Sequence, residues 1–397
     1  MNVEAAALQL PGYEVGPVLY RSEGRVVYRA RRLADGEEVA IETIDAEYPE
    51  RHQVAGIRRE GVIAQSLVDV AGVRRVHAVL SHGSGNLALV CELFDSPLST
   101  HLVQTSSVGL PLAEVLDIAL RLVRILGGIH DQNIVHKALT PENVLFDTAS
   151  GAIALAGFGI ASELDRERQS VQMSRRIEGS LPYISPEQTG RMNRDLDYRS
   201  DYYSLGVLLF ELLTGQRPFQ ADTTLEWVHS HISRLPPAPH EISPELPEVL
   251  SAIVLKLLDK SPDVRYQSAE GLIDDLTRCA DELATTGRVE PFLPGRHDVA
   301  QNFWCLTTST GVNESWSSCS NCSRSRRPGA RSSVWSTATP VSANRPWSTR
   351  STARWYANAA FWPRASSSSS STVRRTRRSQ PPFVGWSSRC WLNRKSA

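Results

Sequence analysis

Between residues 13 and 93 the apolar positions fall in short β-branched or alternating runs, at Val26–Arg29, Val39–Ile44, Val76–Leu80 and Leu87–Leu93. That pattern predicts strands with a buried face. Asp35-Gly36, between the first two runs, predicts a hairpin turn. Val54–Leu67, between the second and third, reads as a helix of poor intrinsic quality, because Gly56 and Gly61 each cost about 1 kcal/mol against Ala. At Leu112 the period changes. Val115, Ile118, Ala119, Leu122, Leu126 and Ile129 share one helical stripe that ends at Gly127-Gly128 and the turn Asp131-Gln132-Asn133. A short β pair, Val144–Phe146 and Ile153–Leu155, comes next, followed by a polar segment to Gly179. Further helices are expected at Tyr202–Leu213, with Asp201 near its start and Gly215 after its end, at Leu246–Leu258 and at Ala269–Leu283. Pro236, Pro237 and Pro239 punctuate the chain before the last two. No internal repeat is visible.

Composition divides the chain. Its formal net charge is zero over 397 residues, but residues 304–397 hold fourteen Arg, one Lys and the single acid Glu314, so +14 there is balanced by −14 in residues 1–303. Eight of the nine Trp also lie beyond Phe303, beside the run Ser366–Ser371. No apolar period survives in that tail. Arg with interleaved aromatics is one pattern of nucleic-acid binding. It is also what a GC-rich gene yields in a shifted frame, and the break is abrupt. The tail is therefore expected to be a disordered, frameshifted extension beginning near Phe303, and nucleic acid is not an expected partner. Cys319 and Cys322 form a C-x-x-C, but no second pair and no later His completes the four ligands of a zinc site. Cys91 and Cys279 alone precede the tail, which fits reduced thiols. The N-terminus lacks a basic n-region and no run of 18 apolar residues occurs, so a cytoplasmic protein is expected.

The chemistry concentrates at His136–Phe146, His-Lys-Ala-Leu-Thr-Pro-Glu-Asn-Val-Leu-Phe, a loop between a helical stripe and a β run. It resembles the catalytic loop H-R-D-L-x-x-x-N of protein kinases. Other anchors stand at matching distances: Gly157-Phe158-Gly159, Ser185-Pro186-Glu187, Asp201 heading a central helix, and Arg265. The resemblance covers about residues 11–285 and implies an α+β, bilobal fold, with a β-rich N-lobe over about 11–93 and a mostly helical C-lobe over about 98–285. Residues 286–303 would be a linker. The stretch Ile184-Ser-Pro-Glu-Gln-Thr-Gly-Arg-Met-Asn-Arg194, continuing to Asp197-Tyr-Arg-Ser-Asp201, is similar to the N-terminal kinase-like domain of bacterial multidomain hybrid histidine kinases.

Position by position, the resemblance implies an altered chemistry. Ala138 stands where the family has its general base, a group that typically contributes 10²- to 10⁴-fold. Thr140 stands for the catalytic-loop Lys, and Gly157 for the metal-binding Asp. Asn143 is retained, but one amide oxygen is a poor site for Mg²⁺, which favours octahedral oxygen ligation with carboxylate help. Tyr20, Ser22 and Arg25 replace three glycines of the phosphate loop, which removes the close backbone approach. A plain β-hairpin is the expectation there, with a direct phosphate contact from Arg25 or Ser22 as the other reading. Glu42 replaces the strand lysine, facing the helix carboxylate Glu60. Two like charges at about 4 Å cost roughly 4 kcal/mol at an effective dielectric near 20, so either Glu42 points to solvent as an edge-strand residue or the cleft is remodelled. Ala40, Cys91, Leu145 and the hinge Glu92–Phe94 would surround an adenine. The resemblance gives structural roles to His136, packing under Phe158, to Glu187 paired with Arg265, and to Asp201 bracing the loop. Ser162, Ser170 and Ser174 would lie in an activation loop whose phosphate Lys137 would read.

The resulting expectation is a pseudokinase-like regulatory module of a hybrid sensor kinase, working with other signalling proteins or domains, with ATP a possible ligand and Mg²⁺ a doubtful one. An ATP-dependent serine/threonine protein kinase with an unorthodox active site stays open, as does a nucleotide-free interaction scaffold.

Overall fold

The alternating stretches of the first lobe assemble into an antiparallel sheet of order β1-β2-β3-β5-β4, made of β1 (Tyr13–Ser22), β2 (Arg25–Arg32), β3 (Glu38–Ile44), β4 (Val76–His82) and β5 (Asn86–Cys91). The computed structural model describes residues 8–299 apart from 23, 47, 84, 106–108, 148–149, 165–177 and 193. β1 escapes the hydrophobic pattern because Gly16 and Pro17 interrupt its alternation and its register shifts between Val15 and Val18 and again before Tyr20. β3 is central, flanked by β2 and β5, and six of its seven residues are buried. The edge-strand reading of Glu42 is therefore corrected: its side chain points into the protein, and Glu42 is 7% exposed.

One helix, α1 (Arg51–Ser66), crosses the sheet, starting three residues before the predicted position. The glycine that weakens it is there for contact, since a Cβ at Gly61 would lie 2.4 Å from Cγ2 of Val79. Helix propensity is surrendered to let α1 approach the strands.

The second lobe is helical: α2 (Leu98–Thr105), α3 (Leu112–His130), α4 (Arg199–Thr214), α5 (Thr224–Ser233), α6 (Pro239–Ile242), α7 (Glu248–Leu257) and α8 (Ala269–Thr286). α4 is buried on all sides, which is why apolar residues occupy nearly its whole circumference. α2, α5 and α6 were not expected from hydrophobic period. α5 is fixed instead by a capping box, in which Thr223 Oγ1 accepts from the Glu226 amide and Glu226 Oε2 accepts from the Thr223 amide.

Short strands finish the framework. β6 (Ser96–Pro97), β8 (Val144–Phe146) and β9 (Ile153–Leu155) form one ribbon, and β7 (Ile134–Val135) pairs with β10 (Ser162–Glu163). The stretch after α8 turns back onto the start of that helix, where Asp298 accepts from the Gln267 and Ser268 amides at 2.7 and 2.9 Å.

Among the described residues no helix is long and apolar enough to cross a membrane, and no group of His, Cys, Asp and Glu is placed to hold a metal ion. Cys91 and Cys279 are buried free thiols. The tail, with Cys319 and Cys322, lies outside the described residues.

Candidate functional site

The loop between β7 and β8 runs along the floor of a cleft of about 570 Å³ between sheet and helices. Asp201, in the first turn of α4, holds it in place. Its Oδ2 accepts from the His136 amide at 2.9 Å and Oδ1 from the Lys137 amide at 2.8 Å, while His130 Nε2 donates to Oδ2 at 2.9 Å. Burial would raise the Asp201 carboxyl, but these donors outweigh it and hold its pKa below the ordinary aspartate value. His136 is fully buried, packs edge-on to Phe158 with ring centroids 4.7 Å apart, and donates from Nε2 to the Ala156 carbonyl at 2.8 Å. Burial pushes its pKa down, and the ring serves as a packed strut.

A second buried pair fastens the helical lobe. Arg265 Nη1 and Nη2 reach Glu187 Oε1 and Oε2 at 2.6 and 2.9 Å, and Ser200 Oγ donates to the same carboxylate at 2.7 Å. This fork geometry adds direction to charge.

The upper wall is organised differently. Arg25 of β2 sends Nη1 between two carboxylates, 2.6 Å from Glu42 Oε1 and 2.5 Å from Glu60 Oε2. Arg74 takes the other Glu42 oxygen at 2.8 Å and donates from Nε to the Glu92 carbonyl at 3.2 Å. Glu60 Oε1 in turn accepts from the Gly157 amide at 2.9 Å. The expected Glu42–Glu60 repulsion is thus removed by an interposed guanidinium. Burial alone would raise the Glu42 carboxyl; Arg25 and Arg74 override it and keep its pKa below the glutamate value. Of the two outcomes left open for Glu42, the remodelled cleft is the one found.

Arg74 is the residue that sequence reasoning missed. The available signal was a lone carboxylate within the apolar strand Val39–Ile44, which, once buried, demands a buried cation from elsewhere. Tyr20 was noted only as a missing glycine. Its ring packs on Phe94, Leu145, Ala154 and Ala156, and burial pushes its pKa up to about 12.

Of the residues expected around an adenine, Leu145 lines the cleft, as does Glu42 at the strand-lysine position, whereas Ala40, Cys91, Glu92 and Phe94 are not among its lining residues. Both backbone groups of Glu92 have partners, the amide donating to the Arg75 carbonyl at 2.9 Å and the carbonyl accepting from Arg74. Ala138, Thr140 and Asn143 meet on the cleft floor. Lys137 sits at φ 65°, buried, with Nζ 3.5 Å from Glu178 Oε2. Ser162 belongs to strand β10, paired opposite Val135, and is not a loop residue; Ser170 and Ser174 lie outside the described residues.

The protein-kinase fold implies Mg²⁺ held by the positions of Asn143 and Gly157. The residues present do not fit it. Asn143 Nδ2 donates to the Ala138 carbonyl at 2.9 Å, and a Cβ at Gly157 would fall 2.3 Å from both Asn143 Cγ and Oδ1. The amide fills the space of the absent carboxylate. Gly157 brings no carboxylate, and the acid beside it, Glu60, is engaged by Arg25 and by the Gly157 amide.

Comparison with known proteins agrees with the fold. The family model described as protein kinase domain matches residues 21–275. A probable serine/threonine-protein kinase of Streptomyces coelicolor is 34% identical over 276 residues, covering 68% of this chain and 40% of the relative. A serine/threonine-protein kinase of Mycolicibacterium smegmatis is 30% identical over 273 residues, 67% of this chain and 42% of the relative. A hybrid signal transduction histidine kinase of Dictyostelium discoideum is 52% identical over 104 residues, 26% of this chain and 3% of the relative. The chain therefore spans about two fifths of the length of the bacterial kinases it matches.

Proposed function

The chain belongs to the protein kinase family, and on that premise we propose that it is a serine/threonine-type kinase domain that has exchanged phosphoryl transfer for a regulatory role within a larger signalling protein. The observation that carries this reading is the collapse of Asn143 onto Gly157, with Ala138 beside it. Phosphoryl transfer depends on placing and neutralising a triphosphate. Here the base, the metal carboxylate, the strand cation and the loop cation are all replaced. Such losses are not additive, yet removing any one part of a catalytic unit is severe. The short, strong similarity to a hybrid histidine kinase supports partners of the signalling class, whether other proteins or further domains.

The second reading is an ATP-dependent serine/threonine protein kinase with an unorthodox site. The family match and the names of the bacterial relatives favour it over a regulatory role. The two readings part in one experiment. Transfer of γ-phosphate from ATP, with Mg²⁺ or Mn²⁺, to the full chain or to a generic basic protein is expected to stay at the level of an Asn143→Ala control. Transfer that this substitution abolishes would establish the enzyme.

A further inference from the structure

A kinase domain can lose catalysis and still bind ATP, so the fate of the cleft is a separate question. We propose that the nucleotide site of this domain is occupied by its own side chains, with Tyr20, Arg74 and Arg25 standing in for base, hinge partner and phosphate-bound cation. Three observations on different elements carry this.

Tyr20 lies on the apolar floor formed by Leu145 and Ala156 together with Phe94, the surface an adenine ring would need. A planar aromatic ring is a fair substitute for a base, since both seek a flat apolar contact. Arg74, two residues before β4, reaches across to the Glu92 carbonyl, taking up the hinge acceptor from inside the protein. Arg25 is held between Glu42 and Glu60, so that β2 delivers the cation usually expected from β3. The hinge-side residues Ala40, Cys91 and Phe94 are consequently shut off from the open part of the cleft.

Charge points the same way. The lining carries three arginines, Arg25, Arg59 and Arg74, and three glutamates, Glu42, Glu142 and Glu178. No net positive field receives a polyphosphate, and no carboxylate at Gly157 brings a metal to neutralise one. Arg25 meets an entering anion with its charge already shared between two carboxylates.

A consequence follows for the lobes. Arg25 joins β2 to α1, and Glu60 joins α1 to the Gly157 amide. Arg74 joins the hinge to β3, and its amide donates to the Leu155 carbonyl at 2.9 Å. The arrangement that a bound nucleotide would stabilise is held by side chains, and the domain presents one conformation whatever the ATP level.

The test is a thermal melt of the full chain with millimolar ADP or ATP, each with and without Mg²⁺, alongside titration of a fluorescent ADP analogue. The wild-type midpoint and the fluorescence are expected not to move. Tyr20→Gly removes a half-buried ring without touching the ion network; this variant is expected to gain a nucleotide-dependent rise of several degrees and at least tenfold in affinity. A ligand at 100 times its Kd raises a midpoint by several degrees, so such a rise in the wild type would overturn the proposal. So would a Tyr20→Gly variant that binds no better than wild type. Nucleotide binding without transfer would sink this inference alone and leave the loss of catalysis standing.

Discussion

Among the described residues, two buried ionic systems look alike and teach opposite lessons. The helical lobe holds Glu187–Arg265 and the bracket of Asp201 with His130, with side chains 0–8% exposed. The cleft holds Arg25, Glu42, Arg74 and Glu60, with side chains 4–25% exposed. The first follows the pattern of the kinase fold residue for residue. The second keeps the requirement for a paired carboxylate on α1 and satisfies it with different residues from different strands. A buried charge must be paired wherever it sits, so the fold tolerates a change in which side chain supplies the pairing. Catalysis has no such tolerance, because it needs a particular group at a particular atom.

The sharpest way to break the comparison is Glu42→Lys, the apparent restoration of the family residue. It would set a third cation between Arg25 and Arg74 and strip Arg74 of its carboxylate. Loss of one partner of a buried pair costs about 3–5 kcal/mol, and like-charge repulsion adds to it. Urea unfolding should place this variant about 4–5 kcal/mol below wild type; an unchanged midpoint would mean that Glu42 is not engaged as described. Arg265→Ala should cost slightly less, about 4 kcal/mol, by leaving Glu187 buried and alone.

Acid separates the two systems next. His231 accepts at Nδ1 from Tyr203 and donates from Nε2 to the Leu181 carbonyl, and burial, with Lys260 nearby, lowers its pKa from 6.5 to about 4. A lowered base binds its proton less readily when folded, so the stability it contributes is full above pH 6.5 and lost as pH falls toward 4. That loss is of order 3 kcal/mol. His136, also lowered by burial, adds in the same direction. The carboxylate Glu42, lowered by its arginines, begins to lose stability only below about pH 4.5. Stability measured against pH should therefore fall first through the helical lobe, and His231→Gln should remove about one proton from the slope between pH 6.5 and 4. The smallest effect expected is Gly157→Asp, whose Cβ would press on Asn143. Overpacking of this kind costs about 1–3 kcal/mol, and the variant alone should restore no phosphoryl transfer.

The sequence disclosed these regions unequally. β8 and β9 occur where their compact apolar runs put them, and α3 starts at the expected Leu112 but runs through Gly127-Gly128 to His130. Glu187, Arg265 and Asp201 were assigned partners through their motif, and those contacts occur in the structure. α5 escapes the stripe pattern because its signal is a cap at Thr223, and of β1 only the hairpin end, Tyr20–Ser22 facing Arg25–Val27, is legible, because bulges disrupt the alternation before it. The cleft was half readable. The losses at Ala138, Thr140 and Gly157 are plain from residue type, but the answer to Glu42 lies 32 residues away at Arg74, and long-range pairing between charges leaves no local pattern. Asn143 keeps the family's residue type. Only packing shows its amide occupying the space beside Gly157.

A β2 arginine has become the cation of the cleft. A double-mutant cycle on the full chain tests it most directly, with Arg25→Met, Glu42→Gln and the pair compared by urea unfolding. A favourable coupling of about 1–3 kcal/mol is predicted, as for residues in direct ionic contact. Additivity to within about 0.3 kcal/mol, the behaviour of independent sites, would contradict it.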